Sequence, residues 1–109
     1  SLKSIQMKLS SSSAVSGNGS VPSSFSLDQN YPNPFNPETV IGYWLVVGGE
    51  VNLRVYDVLG REVAVLVDEF KSAGLHSVTF DGSRMTSGVY IAVLESQRMR
   101  KSQRMVLVK

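Results

Sequence analysis

The feature that most constrains the fold is a proline-rich stretch, Gln29-Asn30-Tyr31-Pro32-Asn33-Pro34-Phe35-Asn36-Pro37. Each proline fixes its φ angle near about −65° and removes one backbone donor, and it also pushes the preceding residue towards extended geometry. The asparagines can hydrogen-bond to nearby backbone and so hold an irregular path. Loose linkers rarely contain large aromatic side chains. We therefore expect Tyr31 and Phe35 to be buried anchors of a rigid bridge where a packed domain begins.

Short alternating segments follow from Phe25 onwards. In the predicted strand Thr39–Val46, the alternate residues Ile41, Tyr43 and Leu45 share one face. In Glu50–Asp57, a clear period of two places Val51, Leu53 and Val55 inward. No helical period is visible, and turn residues recur about every 8–12 positions, which is typical of sandwiches. The predicted fold is therefore all-β, an immunoglobulin-like antiparallel β-sandwich of about seven strands. The predicted strands are Phe25–Asp28, Thr39–Val46, Glu50–Asp57, Glu62–Asp68, Leu75–Asp81, Gly88–Glu95 and Gln103–Val108.

The connections have recognisable turn chemistry. Val47-Gly48-Gly49-Glu50 is predicted to be a tight hairpin, because paired glycines tolerate the positive φ angles of such turns. Asp57 to Arg61 is predicted to be a second turn, with Gly60 in the left-handed region. Glu62–Asp68 is apolar on both parities, which indicates a bulge or burial on both faces. We expect a longer connection over Glu69–Gly74 and a polar turn around Gln97–Lys101.

The residues before the domain divide into two parts. Residues 3–9 alternate, with Ile5, Met7 and Leu9 on one side, which predicts either the last strand of an upstream domain or an accessory strand. Residues 10–24 contain eight serines together with Gly17 and Gly19, which is typical of a flexible linker. The predicted organisation is thus 1–9 upstream or accessory, 10–24 linker and 25–109 folded domain, and we expect the chain to be the C-terminal end of a longer protein.

Charge and composition exclude several classes of function. The net charge is +2, but residues 92–109 carry five basic groups against Glu95, so the basic character is concentrated at the end of the chain. The chain has no cysteine and a single histidine, His76, so no thiolate chemistry or multi-histidine metal site is predicted. We interpret His76 as a structural residue, and we predict no enzyme, no cofactor, no nucleic-acid partner and no membrane insertion.

The domain resembles the C-terminal sorting domain of the type IX (Por) secretion system, type A. The resemblance extends from Leu27 to Lys109 and includes the proline-rich stretch and the terminal Met105-Val106-Leu107-Val108-Lys109. Val46 departs from it, because the family commonly has proline there, and valine permits a longer strand before Gly48 and Gly49. The family motif residues are Asn30, Tyr31, Pro32, Asn33, Pro34, Phe35, Asn36, Pro37, Tyr56, Asp57, Gly60, Arg61, Gly74, His76, Gly88 and Tyr90.

This resemblance implies a non-catalytic secretion signal. Such domains direct an exported cargo protein from the periplasm through the outer-membrane translocon. A separate surface sortase then usually removes the domain and joins the cargo to lipopolysaccharide. The implied partners are the translocon, the sortase and an upstream cargo domain in cis, and the implied location is secreted or at the cell surface.

The last two strands offer a candidate recognition surface. Tyr90, Ala92 and Leu94 share the parity expected for the core, so the opposite parity faces outward. An apolar outward stripe beside basic groups is a plausible docking site, unless the fold or residues 5–9 cover it. The residues predicted for translocon recognition are Ile91, Val93, Arg104, Val106, Val108 and Lys109.

Two other functions remain open from the sequence. An adhesive or carbohydrate-binding sandwich would need an exposed aromatic platform, for which Trp44 and Tyr56 are the candidates. A structural repeat, like the immunoglobulin-like domain of flagellar hook-capping proteins, would need a polymer interface and no basic terminal strand. Fold analogy cannot separate these alternatives.

Overall fold

Residues 25–109 are the part of the chain that this computed structural model describes, and they form a β-sandwich. The proposals for residues 1–9 and 10–24 lie outside the described residues. The seven strands are β1 (Ser26–Leu27), β2 (Glu38–Leu45), β3 (Gly49–Asp57), β4 (Glu62–Lys71), β5 (Gly74–Asp81), β6 (Gly88–Ser96) and β7 (Met99–Leu107). One sheet has the order β1-β2-β5 and the other β4-β3-β6-β7, with every neighbouring pair antiparallel. The predicted all-β sandwich of about seven strands is confirmed.

The core lies between the two sheets and follows the predicted parity. Ile41, Tyr43 and Leu45 on β2 are almost fully buried, and the alternate valine and leucine side chains of β3 face them. Phe35 and Phe80 meet with their ring centroids 5.8 Å apart in a tilted arrangement, which is a preferred geometry for aromatic pairs. Burial of these apolar side chains is the main force that holds the layers together.

The predicted hairpin at Gly48 and Gly49 is wrong. β2 belongs to the three-stranded sheet and β3 to the four-stranded sheet, so the connection crosses from one layer to the other. Neither glycine has a positive φ angle. Gly48 instead permits a close approach, because a Cβ atom there would lie 3.2 Å from the carbonyl oxygen of Lys71 and from the ring of Phe70. The strand ends at Leu45, so Val46 does not lengthen it.

The remaining connections agree with the sequence in kind and differ at their boundaries. β4 continues to Lys71, which shortens the predicted connection from Glu69 to two residues before β5. Two register shifts between β3 and β4 confirm the irregularity predicted for Glu62–Asp68. The last hairpin turns at Gln97 and Arg98, with φ angles of 54° and 67°. Two successive positive φ angles give the twist that suits a two-residue hairpin, so β7 begins at Met99 and not at Gln103.

Only one of the two aromatic anchors is buried. Phe35 is 1% exposed, as predicted, whereas Tyr31 is 81% exposed, so the prediction for Tyr31 is wrong. The backbone of Tyr31 pairs with that of Val40 on β2. Side chains alternate along extended backbone, and it is Asn30, 2% exposed, that faces inward.

We predict that Phe35→Ala lowers the free energy of unfolding by about 3–5 kcal/mol, because it leaves a cavity beside Phe80. Tyr31→Ala is the matched control and should change it by no more than about 0.5 kcal/mol, since the ring is mostly in solvent. Denaturant unfolding of both variants measures the difference. Equal losses in the two variants would contradict the assignment of Phe35 as the anchor.

Candidate recognition surface

The proline-rich segment, residues 29–37, connects the two sheets through its few remaining backbone donors. The amide of Tyr31 donates to the Val40 carbonyl at 2.9 Å, and the amide of Val40 returns the bond at 2.9 Å. On the other side, the Phe35 amide donates to the Val106 carbonyl at 2.9 Å, and the Val108 amide donates to the Phe35 carbonyl at 3.0 Å. The segment thus pairs with β2 of one sheet and with β7 of the other.

A buried polar network fixes the first half of the segment. The Nδ2 group of Asn30 donates to the Pro32 carbonyl at 3.1 Å and to Oγ1 of Thr39 at 2.9 Å. The Thr39 hydroxyl donates to the same Pro32 carbonyl at 2.8 Å. Both side chains are at most 2% exposed, and their mutual bonds remove the cost of burying polar groups. No role for Thr39 was predicted from the sequence. The signal that could have identified it is a polar residue at an inward position of an otherwise apolar strand.

Side chains of the segment also cover the edge of β7. Oδ1 of Asn33 accepts a bond from the Val106 amide at 2.9 Å, and Nε2 of Gln29 donates to the Arg104 carbonyl at 2.9 Å. An unpaired strand edge is a template for adding another strand. Since these groups already have partners, the second half of β7 offers a partner its face and not its edge.

The outer face of the four-stranded sheet brings the predicted recognition residues together. In an antiparallel pair, residues directly opposite each other point to the same face. Arg104 lies opposite Ile91, which lies opposite Tyr56 on β3. One row further, Val93 lies between Ser102 and Arg54, and Val106 lies opposite Val89. We call this surface the outer face, and its residues are Arg54, Tyr56, Val89, Ile91, Val93, Ser102, Arg104 and Val106.

The residues of the outer face differ in exposure. Ile91, Val106 and Tyr56 are half-buried and Arg104 is exposed, whereas Val93 is only 5% exposed. Arg54 is held over the sheet by Oε1 of Glu62 at 3.0 Å and Oδ1 of Asn52 at 3.2 Å. The side chain of Arg104 makes no salt bridge within residues 25–109, so it remains available to a partner.

Trp44 and Tyr56 do not form an aromatic platform. Trp44 lies on β2 in the three-stranded sheet, and its parity is opposite to that of the buried Tyr43. Tyr56 lies on the outer face of the other sheet. The two rings therefore face opposite sides of the sandwich, and the platform that a carbohydrate-binding function would need is not formed.

His76 has a structural environment, and its ring stacks on that of Tyr43 with centroids 5.3 Å apart. Its Nε2 atom lies 2.8 Å from the carbonyl oxygen of Ser72. Among residues 25–109, no group of three or more histidine, cysteine, aspartate and glutamate side chains is placed to hold a metal ion. In that same part of the chain, no helix is long and apolar enough to span a membrane.

Comparison with known families identifies the domain. The family model described as the secretion system C-terminal sorting domain matches residues 29–109. The chain belongs to this family. No curated protein matches the chain. The match begins at Gln29, where the proline-rich segment starts, and includes the outer face and the terminal strand. The family is that of type IX sorting signals. The domain is therefore a secretion signal of the kind that exported proteins carry.

Lys109 of the sorting domain is separated from the other predicted recognition residues. Its Nζ atom donates to the carbonyl oxygens of Ser83 at 2.6 Å and Met85 at 2.7 Å, and its amide donates to Oγ of Ser87 at 2.9 Å. These bonds tie the residue to the loop between β5 and β6. Val108 is 50% exposed and follows β7 at the boundary of the outer face.

Two further motifs of the sorting domain meet at the same end of the sandwich. Oδ1 of Asp57 accepts bonds from the amides of Leu59 at 2.9 Å and Arg61 at 3.0 Å, and Gly60 has a φ angle of 83°, as predicted for the turn. The Tyr90 hydroxyl donates to the Thr86 carbonyl at 2.7 Å. Between this turn and the Thr86 loop lies an open cleft of about 390 Å³. Asp57 and Tyr90 thus have roles in holding turns, which explains these motif residues without a ligand.

The charge of Asp57 makes stability depend on pH. The backbone hydrogen bond from Arg61, together with the Arg61 side chain at 2.8 Å and the Leu59 amide, holds the pKa of Asp57 below its ordinary value. A lowered folded pKa means stability that is present above the unfolded pKa and lost as pH falls through the folded pKa. We predict that Asp57→Asn is less stable at pH 7 and loses less stability than the parent between about pH 5 and pH 2.

Thermal melting across this pH range measures the effect in the parent and the variant. Asp68→Asn is the control, because Asp68 is exposed and makes no salt bridge within residues 25–109. Parallel curves for the parent and Asp57→Asn would contradict the assignment.

Proposed function

We propose that this domain is a folded sorting signal carried by an exported cargo protein. The type IX outer-membrane translocon recognises it through the outer face. The family match over residues 29–109 carries the proposal. The chemistry expected of a secretion signal is recognition by a partner.

Two features favour the outer face as the surface that the translocon contacts. Solvent-facing sides of antiparallel sheets are usually polar, yet this face carries the apolar side chains of Val89, Ile91 and Val106, all half-buried, and the ring of Tyr56. Arg104 adds an exposed positive charge without a salt bridge within residues 25–109. Apolar centres with arginine nearby are typical of protein–protein contacts. The expected partner surface is therefore apolar with acidic groups around it.

The test replaces outward side chains of Arg104 and Val106 on β7 and of Val108 directly after it, and it leaves the core unchanged. We predict that Val106→Thr and Val108→Thr combined with Arg104→Gln strongly reduce the fraction of a fused cargo that reaches the medium or cell surface. Threonine keeps the β-branched shape and the backbone amides that pair with Asn33 and Phe35. Thermal melting of the isolated domain verifies that the fold is retained.

A matched control removes the same groups elsewhere. Val46→Thr and Val47→Thr combined with Arg98→Gln make the same three kinds of substitution at two exposed valines and one exposed arginine, but these residues lie outside the outer face. Export of this control should equal that of the parent. Parental export of the β7 variant would place recognition on another surface, whereas failure of the parental domain to export any cargo would contradict the secretion function itself.

The later steps of the pathway belong to the same proposal. The cargo enters the periplasm by an N-terminal signal, and after translocation a separate sortase removes the domain and joins the cargo to lipopolysaccharide. Proteases prefer exposed, unpaired backbone, so the serine-rich residues 10–24 are the expected place of cleavage.

We predict that mass spectrometry of the released domain finds its N-terminus within residues 10–24. A cut beyond Asn30 would remove the buried amide that bonds to Pro32 and Thr39, and the released domain would unfold. A folded, released domain that starts after Asn30 would therefore contradict this part of the proposal.

A further inference from the structure

The outer side of the three-stranded sheet carries apolar groups that have no layer above them in the described residues. In the first row across this sheet, Trp44 lies between Ser26 and Leu75, and Leu75 is 72% exposed. Two rows further, Val40 lies opposite Thr79 and is 46% exposed. These side chains have the parity opposite to that of the core, so they point away from the space between the two sheets.

The indole N–H of Trp44 lies at this surface and lacks a hydrogen-bond acceptor among residues 25–109. Its Nε1 atom is buried. A buried donor without a partner costs free energy, and an indole N–H usually finds an acceptor when it is covered. A carbonyl group from another segment would supply the missing acceptor.

The surface also has a regular pattern along β2. The row between Trp44 and Val40 is centred on Gly42, and a Cβ atom on Gly42 would lie 3.1 Å from the carboxylate of Asp28. The row beyond Val40 is acidic, since Glu38 lies opposite Asp81. Successive rows are separated by two residues of strand, or about 6.6–6.8 Å.

We propose that residues 3–9 of this chain lie extended across this surface and form a third layer. Their odd positions are Lys3, Ile5, Met7 and Leu9, and an extended chain repeats every two residues at the same spacing of about 6.6–6.8 Å. Leu9 then covers the Trp44 row, and Met7 lies beside the Asp28 side chain, which already occupies the position over Gly42. Ile5 covers Val40, and Lys3 reaches the acidic row of Glu38 and Asp81. Charge selects this direction, because the reverse order would place Lys3 against Trp44.

The connectivity of the chain permits this arrangement. Ser26 lies opposite Trp44, so the chain enters the domain at the end of the surface where Leu9 is placed. A random-coil chain as long as residues 10–24 would have a root-mean-square span of about 19–23 Å, which is enough for this return. Such a tether raises the effective concentration of the segment to about the millimolar range, so even weak docking is populated.

Trp44 is the single tryptophan of the chain, so its signals report on this surface directly. The experiment compares the full chain with the variant Ile5→Ser, Met7→Ser and Leu9→Ser. The matched control, Val15→Ser with Val21→Ser, removes apolar groups from the linker instead. The measurements are the emission maximum of Trp44, its quenching by acrylamide and the resonance of its indole N–H.

We expect the triple variant to emit at longer wavelength, to be quenched more by acrylamide and to show a displaced indole N–H resonance. The control should match the parent, and Lys3→Glu should weaken docking in the same direction as the triple variant. Identical signals from the parent and the triple variant would overturn the proposal. Parental signals that depend on protein concentration, with dimers in sedimentation, would overturn it in favour of a second copy. None of these outcomes depends on export, so the proposal stands or falls independently of the secretion function.

Discussion

The whole structure depends on the backbone pairing of the proline-rich segment with both sheets. Tyr31 bonds to Val40 on β2, and Phe35 bonds to Val106 and Val108 at the end of β7. A sandwich is otherwise held mainly by side-chain burial between its layers, which is a non-directional force. Here four hydrogen bonds of 2.9 to 3.0 Å fix the first segment of the domain to strands of both layers, and the buried ring of Phe35 fixes the distance between them. Prolines suit this position because the segment needs few donors of its own.

The same segment also covers part of the edge of β7 and so limits which surface of the domain a partner can contact. With Asn33 and Gln29 bonded to the edge of β7, that edge cannot easily accept another strand, which agrees with our proposal that recognition uses the outer face of the four-stranded sheet. Lys109 makes a related contribution at the end of the chain, where its ammonium group bonds to two loop carbonyls. The terminal basic residue therefore stabilises the loop between β5 and β6, while Arg104 remains exposed on the outer face.

The sequence predicted the sandwich and the inward faces of β2 and β3, because alternation is a local property that burial reinforces. It predicted the turn at Asp57 for the same reason, since the side chain bonds within four residues. It failed where the answer depended on tertiary placement. Gly48 looked like a hairpin residue because the sequence cannot show that the flanking strands belong to different sheets. The large ring of Tyr31 suggested a buried anchor, but the alternation of side chains along the backbone places Asn30 in the buried position instead. The sequence predicted an outward stripe on the last two strands but not that β3 extends it, since the pairing of β3 with β6 is not local in sequence.

The bonds between residues 33–35 and residues 106–108 have a consequence for synthesis of the protein. The Asn33 side chain and the Val106 amide are 73 positions apart, so the first segment of the domain has no second partner until the terminal strand has been made. A chain that ends before Val106 lacks the groups that bond to Asn33 and Phe35, and the proline-rich segment can then pair with β2 alone. The bonds that join the proline-rich segment to the four-stranded sheet can therefore form only after almost all of the domain has been synthesised.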